Sequence, residues 1–266
     1  MTSMEDLGCQ GCTASHLDFD ISMAFQPIVD VNERKIFAYE ALVRGTAGEP
    51  AADILARVND DNRYAFDQAC RVRAVELASA LGMQTKLSIN FMPNAVYEPA
   101  RCLRTTLEAA LRTGFPIENI IFETTEDERV HDAEYLKKIF ATYRKEGFKT
   151  AIDDFGAGYA GLNLLADFQP DFVKLDMQLI RNIDADRARQ AIVGAMAAVG
   201  NLLGIRIVAE GVESEREALV LHRLGISLMQ GYLFARPGFE TLPSVDLAAL
   251  VPMFQQRSGA RLRVKK

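Results

Sequence analysis

The stretch 150–162, TAIDDFGAGYAGL, decides the fold class because it joins a short strand to an acidic turn. Residues 150–152 are β-branched or apolar, as in a buried strand. Asp153 and Asp154 follow, and two glycines beyond them favour a flexible turn. Adjacent carboxylates at a strand end repel each other unless a cation or a proton lies between them. A solvated acidic turn is one explanation; the rest of the chain favours a cation site, because several other predicted strands also end in a carboxylate or an amide.

Short strands and helices alternate on both sides of this stretch. The first two strands are separated by the turn residues Asn32 and Glu33, which predicts a β-hairpin. Helices separate the later strands; one opens with the capping box of Ser214 and Glu217, and several end at a glycine. The predicted strands are 24–31, 35–45, 86–90, 119–126, 150–154, 171–176, 205–211 and 226–237, and the predicted helices are 50–82, 99–114, 131–147, 161–168, 186–204 and 214–225.

This alternation predicts an α/β fold of the TIM-like (β/α)8 barrel type. About eight strands in about 240 residues match that barrel in size, and the strands are mostly short and apolar, as buried parallel strands are. A doubly wound open sheet is the structural alternative, but no G-x-G-x-x-G opens a helix after the first strand. Because no linker or internal repeat divides the chain, we expect a tail at 1–20, one barrel domain at 21–256 and a basic C-terminal tail at 257–266.

Composition narrows the partners and the location. The chain has 266 residues, is 49% hydrophobic and carries a formal net charge of −6, so it lacks the broad basic footprint of a duplex nucleic-acid binder. No apolar run approaches the ~18 residues of a membrane-spanning helix, so no membrane insertion is expected. The N-terminus lacks the basic start and apolar core of a secretory signal, and we expect a cytoplasmic location.

The cysteines divide into two pairs. Cys9 and Cys12 form a C-x-x-C, which is either a redox pair, half of a zinc site or a pair without a function; the only nearby histidine is His16. Cys70 and Cys102 lie in predicted helices, where we expect reduced, buried side chains.

Nearly every predicted strand carries a polar residue at its end, where functional side chains of a (β/α)8 barrel gather. A single acid there is usually a helix cap or a solvated loop residue, but five acids gathered on one rim repel each other without a cation. The residues at these ends are Glu40, Asn90, Glu123, Asp153, Asp154, Lys174, Glu210 and Gln230.

The donor set on this rim is oxygen-only, because His16, His131 and His222 lie in the tail or in helix-like segments. Hard oxygen ligands favour Mg²⁺ or Mn²⁺ over zinc. Five carboxylates exceed what one Mg²⁺ normally takes from a protein, so two cations fit, and such pairs suit phosphoester hydrolysis. Lys174 would stabilise charge or help to deprotonate the attacking water, and a structural ion pair in the acidic cluster is compatible with either role.

These residues also belong to an ordered set of motifs spread over residues 23 to about 240. The motifs are Gln26-Pro27-Ile28, Glu40-Ala41-Leu42-Val43-Arg44, Asn90, Phe122-Glu123-Thr124-Thr125-Glu126, Asp153-Asp154-Phe155-Gly156, Val173-Lys174-Leu175-Asp176, Ala209-Glu210-Gly211-Val212-Glu213 and Gln230-Gly231-Tyr232. In this order they resemble the EAL domain, the phosphodiesterase family that acts on the bacterial second messenger cyclic di-GMP. Gly45, Phe91-Met92, Thr124 and Ala157 depart from the commonest family text, and none of these departures removes a ligand.

The resemblance implies a barrel whose first strand is antiparallel, two Mg²⁺ or Mn²⁺ per site, and linear 5′-pGpG as product. It implies a homodimer that pairs through the region after the 155–160 loop. It also implies roles for individual residues. One metal would be held by Glu40, Asn90, Glu123 and Asp153, and the other by Asp153, Asp154 and Glu210, while Lys174 would contact the nucleophilic water. The ligand would be met by Leu42 and Arg44, and its phosphates or guanines would lie near Gln26, Asp176 and Gln230. Glu213 would support the site, and Glu126 would tether the loop.

Three functional hypotheses follow from the sequence. The leading one is a metal-dependent phosphodiesterase, because all six proposed metal ligands and Lys174 are present. The second is a degenerate EAL domain that serves as a cyclic di-GMP receptor or docks a regulator without hydrolysis. The third is an unrelated barrel lyase that uses Lys174 as a Schiff base, which would require a desolvated lysine with few acids around it.

Overall fold

The computed structural model describes residues 17–125, 133–158, 161–249 and 254, and its strands and helices alternate as the sequence predicts. The strands are β1 (Ile21–Asp30), β2 (Lys35–Gly45), β3 (Lys86–Asn90), β4 (Ile120–Thr125), β5 (Lys149–Phe155), β6 (Phe172–Leu175), β7 (Arg206–Ala209), β8 (Leu228–Gln230) and β9 (Gly238–Phe239). The helices are α1 (Ala51–Leu55), α2 (Arg63–Ala80), α3 (Pro99–Cys102), α4 (Arg104–Thr113), α5 (Ala133–Lys145), α6 (Gly161–Asp167), α7 (Met177–Ile180), α8 (Arg187–Leu203) and α9 (Glu215–Arg223).

The first eight strands close into a barrel in which β1 runs against its neighbours. Strands β2 to β8 pair in parallel in chain order, and β1 closes the ring by pairing antiparallel with both β2 and β8. The β1–β2 pair is a hairpin in register from Ile21 opposite Gly45 to Asp30 opposite Lys35. The short β9 adds to the outer part of β1. The predicted TIM-like barrel with an antiparallel first strand is therefore confirmed.

Two predicted elements have different limits in the structure. The segment 50–82 is not one helix, because Asn59 and Asn62 bond the intervening loop locally: the Asn59 side chain accepts from the Asp61 N–H, and the Asn62 side chain accepts from the Asn59 N–H. Such side-chain bonds compete with helical ones. The last predicted strand ends at Gln230, because the Gly231 backbone turns against that of Val212, so closely that a Cβ would overlap it.

Two further predicted segments are divided or extended. The segment 99–114 forms two helices, α3 and α4, with Leu103 between them, and Gly114 caps the second in a left-handed conformation. Glu40 is not at a strand end as the sequence suggested. It lies in the middle of β2, because that strand continues to Gly45 as the partner of β1 after its pairing with β3 ends at Ala41.

The interior of the barrel consists of an apolar layer followed by a polar layer. The apolar layer contains Ile28, Ala38, Ile121, Ala151, Phe172, Val208 and Leu228. Because side chains on one face of a strand recur every second residue, the next inward position on each strand forms the second layer. That layer contains Gln26, Glu40, Glu123, Asp153, Lys174, Glu210 and Gln230. On each of these strands, the polar side chain of the site therefore lies two residues from the apolar side chain of the core and nearer the rim.

Outside the barrel, the helices pack against the strands over two further hydrophobic clusters. Cys70 of α2 and Cys102 of α3 are free thiols in helices, as predicted; Cys102 is buried and Cys70 is half-buried. None of the helices in the described ranges is long and apolar enough to cross a membrane. Cys9, Cys12, His16, Glu126 and His131 lie outside the described residues.

Candidate metal centre

The Lys174 ammonium lies at the centre of the polar layer. Its Nζ is 2.9 Å from Glu210, 3.0 Å from Asp153, 3.3 Å from Glu123 and 3.5 Å from Glu40, and its side chain is only 2% exposed. Burial alone lowers the pKa of this ammonium, but the four carboxylates outweigh burial and hold the pKa well above its ordinary value. The lysine is therefore a charged donor, which is the opposite of the neutral amine that a Schiff base requires.

The carboxylates around Lys174 form two overlapping groups. In one, ligand oxygens of Glu40, Glu123 and Asp153 all lie within 4.8 Å of one another; in the other, those of Asp153, Asp154 and Glu210 do. Asp153 belongs to both groups, as a carboxylate that bridges two cations would. These are five of the six residues expected from the sequence as metal ligands.

Asp153 and Asp154 both face the site although adjacent residues of a strand point to opposite sides. The pairing of β5 with β6 shifts register here: Ile152 lies opposite Val173, but Phe155 lies opposite Leu175. The two acids thus oppose the single residue Lys174, as in a β-bulge. Asp154 has a positive φ of 51°, which is uncommon for a residue with a side chain, and its N–H donates to Asp153 Oδ1.

The metal-free acids hold protons more tightly than usual. Burial raises the pKa of Glu123 and of Glu210 well above the ordinary value, and neighbouring carboxylates raise it further. Burial and then Asp153 raise the pKa of Asp154 to about 6. Burial is the largest cause of each shift, and the carboxylates that outnumber the single ammonium add to it.

The donor set fits two hard divalent cations. Five carboxylates and one ammonium carry a formal charge of −4 when all are ionised, which two divalent cations would neutralise. The donors are oxygens from acids and one amide, which suit Mg²⁺ or Mn²⁺. Among the described residues, neither identified group contains a histidine or a cysteine.

Asn90 and Ser88 lie on the same inward face of β3 and contact the acids. The Asn90 amide donates to Glu40 Oε1 at 3.3 Å and to Glu123 Oε1 at 3.2 Å; to bind a cation the amide would turn its oxygen inward. Ser88 donates to Glu123 Oε2, and the side chains of Ser88 and Glu123 are buried, whereas Asn90 is exposed. The sequence analysis did not identify Ser88, although the alternation in KLSIN places it two residues before Asn90.

Gln230 and Gln26 close the side of the site at β8 and β1. Gln230 Nε2 donates to Glu40 Oε2 at 2.6 Å and to Gln26 Oε1 at 3.1 Å, and Gln26 in turn donates to the Ala235 carbonyl. Gln230 Oε1 is buried and has no hydrogen-bond partner in the described part of the chain. The two glutamines therefore orient Glu40 in this structure.

A pocket of about 240 Å³ opens beside these glutamines. The expected substrate contact Asp176 lines it while capping α7 through the Gln178 N–H, and Glu213 lines it while pairing with Arg181. The pocket is lined by Gln26, Glu40, Asp154, Asp176, Met177, Glu210, Gly211, Glu213, Gln230, Gly231 and Tyr232. The expected ligand contacts on β2 lie apart from it: Leu42 lines an apolar cavity of about 540 Å³, and Arg44 donates to the Val43 carbonyl.

A (β/α)8 barrel with an antiparallel first strand and two overlapping carboxylate groups in the polar layer of its interior defines the class of the protein. Residues 14–237 match the family model described as the EAL domain, and the chain belongs to that family.

Two solved structures and two curated proteins illustrate the likeness. A standalone versatile EAL protein from Vibrio cholerae, in its c-di-GMP-bound form, has 59% identity and a TM-score of 0.85, over 88% of this chain and 99% of that one. BlrP1 of Klebsiella pneumoniae, in a manganese/cyclic di-GMP complex, has 35% identity and a TM-score of 0.79, over 85% of this chain and 58% of that one.

The antirepressor BluF of Escherichia coli, regulated by blue light and temperature, is 34% identical over 84% of this chain and 55% of its own length. The cyclic di-GMP phosphodiesterase RocR of Pseudomonas aeruginosa is 35% identical over 59% of this chain and 40% of its own length. The chain thus spans about half the length of these curated relatives.

The raised pKa of Asp154 predicts a pH dependence of the metal-free protein. A carboxyl whose folded-state pKa is raised contributes stability below its unfolded-state pKa, and this contribution is lost as pH rises through the folded-state value. For Asp154 that window runs from 3.8 to about 6. We expect urea unfolding in EDTA to show wild-type protein losing stability relative to Asp154→Asn across this window. Parallel pH profiles for the two proteins would contradict the shift.

Proposed function

We propose that this protein hydrolyses cyclic di-GMP to linear 5′-pGpG at the acidic cluster around Lys174. The observation that carries the proposal is the pair of carboxylate groups that share Asp153 in the polar layer of the barrel. Membership of the EAL domain family supports the choice of substrate, since RocR is named as a cyclic di-GMP phosphodiesterase and the Vibrio cholerae relative binds c-di-GMP.

The metal ligands follow the two groups in the structure. Glu40, Asn90, Glu123 and Asp153 would hold one Mg²⁺ or Mn²⁺, and Asp153, Asp154 and Glu210 would hold the other. When bound, such cations lower the pKa of an attacking water and stabilise charge on a phosphate. The BlrP1 complex with manganese and cyclic di-GMP supports Mn²⁺ as one of the ions.

Lys174 would hold the attacking water by donating a hydrogen bond to it and would stabilise the negative charge that develops. Its Nζ lies between Glu210 and Asp153, at 2.9 and 3.0 Å, so it reaches the space that both carboxylate groups face. A buried ammonium of this kind is preorganised, since the fold already pays the cost of its desolvation. Its high pKa favours charge stabilisation over proton abstraction as its main role.

The pocket beside the centre would receive the substrate. Gln26, Asp176 and Gln230 line it, where they would lie near phosphates or guanines. Leu42 and Arg44, on the continuation of β2, would meet the ligand from the other side of Glu40. Glu213 would support this wall through its ion pair with Arg181, and Glu126 would tether the 155–160 loop.

The proposal includes a homodimer that pairs through the region after this loop. Leu162, near the beginning of α6, is 65% exposed, which supports an apolar contact there.

A second candidate is a cyclic di-GMP receptor or docking module without hydrolysis. The observation in its favour is the likeness to BluF, which is named as an antirepressor. The retention of every expected metal ligand and of Lys174 favours the enzyme, because a receptor does not need a charged donor among five acids.

The direct test of the function is hydrolysis by the purified protein. Cyclic di-GMP with Mg²⁺ or Mn²⁺ should yield 5′-pGpG by chromatography, and excess EDTA should abolish turnover until the cation is restored, because the oxygen donors suit hard cations. Binding of cyclic di-GMP without turnover under any of these conditions would support the receptor, and full turnover in EDTA would contradict the metal-dependent mechanism.

Lys174→Met tests the role of the ammonium. We expect kcat to fall at least about 100-fold, the usual scale of a positioned donor or acid, while Mn²⁺ binding is retained because all ligands remain. The matched control is Lys86→Met. Lys86 is the first residue of β3, at the end of that strand away from the acidic cluster, where it donates to the Glu118 carbonyl. Wild-type kcat in Lys174→Met would remove the lysine from the mechanism.

A further inference from the structure

A buried arginine lies behind the candidate metal centre, between α2 and the outer faces of β3 and β4. The Arg71 side chain is 0% exposed. Its Nη2 is 2.7 Å from Asp67 Oδ2, and its Nη1 donates to the Tyr143 hydroxyl of α5 at 2.9 Å. A buried ion pair is weak evidence of stability, because its desolvation offsets much of its attraction. Stability alone therefore does not explain why this ion pair is buried here.

Three aromatic rings surround this guanidinium. The guanidinium carbon is 5.0 Å from the centre of the Phe122 ring, 5.4 Å from that of Phe91 and 5.7 Å from that of Tyr143. These rings also contact one another, with centres 4.9 to 6.0 Å apart. Cation–π contacts of a desolvated arginine are directional and favourable. Phe91 directly follows Asn90, and Phe122 directly precedes Glu123, so two of the three rings adjoin two expected metal ligands.

Hydrogen bonds of Asp67 and Phe91 hold the backbone beside Asn90. Asp67 Oδ1 accepts from the Met92 N–H at 2.9 Å, and the Phe91 N–H donates to the Glu123 carbonyl at 2.9 Å. The chain leaving β3 is therefore held on one side by α2 and on the other by β4. The residues of the second bond, Phe91 and Glu123, are both buried, and the first bond is partly buried with a fully buried acceptor, Asp67.

We propose that the buried Asp67–Arg71 pair is a positioning element of the metal centre, which fixes Asn90 and Glu123 through the Met92 N–H and the rings of Phe91 and Phe122. This inference rests on the proposed function. The pair would thereby hold the Asn90 amide within hydrogen-bond distance of two acids, Glu40 at 3.3 Å and Glu123 at 3.2 Å. Groups that orient metal ligands typically change metal affinity about 10–100-fold when they are removed.

Two double variants separate the hydrogen bond from the charge. Asp67→Leu/Arg71→Met removes the ion pair and the acceptor for the Met92 N–H, whereas Asp67→Asn/Arg71→Met removes the ion pair but keeps an amide acceptor. Neither leaves a buried charge without a partner, and Asp67 lines the 540 Å³ cavity, which has room for leucine. Mn²⁺ affinity is measured by electron paramagnetic resonance of the free ion, and thermal melting in EDTA checks the fold.

We expect the Leu/Met variant to bind Mn²⁺ at least about tenfold more weakly than wild type, and the Asn/Met variant to recover at least half of that loss on a logarithmic scale. Arg206→Met is the matched control. Arg206 pairs with Asp30 at 2.8 Å and lies 4.4 Å from the Phe37 ring, at the opposite end of the barrel, so its loss should leave Mn²⁺ affinity unchanged.

Wild-type affinity in both folded double variants would overturn the positioning role while leaving the proposed function standing. Wild-type protein that binds no Mn²⁺ would overturn both. Should the Leu/Met variant not fold, Phe91→Leu carries the test, because it keeps the ion pair and the Met92 hydrogen bond and removes the ring beside Asn90. A measurable loss of Mn²⁺ affinity in Phe91→Leu with an intact fold would support the proposal, and unchanged affinity would overturn it.

Discussion

The contact of one ammonium with four carboxylates is the interaction on which the centre of this barrel depends. Lys174 lies within 3.5 Å of acids from β2, β4, β5 and the end of β7, so it joins half of the barrel strands at one point. Removing one member of such a buried network typically costs about 3–5 kcal/mol. The network is also incomplete, since its acids outnumber its ammonium, and the excess negative charge is the physical basis of the cation site.

The barrel and most of this centre were predictable from the sequence because both follow from strand periodicity. Apolar strands that alternate with helices indicate a parallel barrel. A polar residue two positions beyond an inward apolar residue then lies on the same face, nearer the rim. Ala38 and Glu40, Ile121 and Glu123, and Val208 and Glu210 follow this rule. The order of the motifs identified the EAL family, which the match over residues 14–237 bears out.

The remaining features depend on contacts between distant parts of the chain, which local patterns do not contain. The bulge that turns both Asp153 and Asp154 inward arises from the register between β5 and β6. The bond from Gln230 to Glu40 spans 190 positions. Arg71 has the appearance of a surface residue in a helix, and only the packing of α2 against α5 and the strands makes it a buried one.

The central claim is that the acidic cluster binds two divalent cations with Asp153 between them. Diffraction from crystals grown with Mn²⁺, at a wavelength where manganese scatters anomalously, tests this most directly. The account predicts two anomalous peaks per chain. One should lie among Glu40, Glu123 and Asp153, and the other among Asp153, Asp154 and Glu210. A single peak, or no peak at these acids in crystals saturated with Mn²⁺, would contradict it.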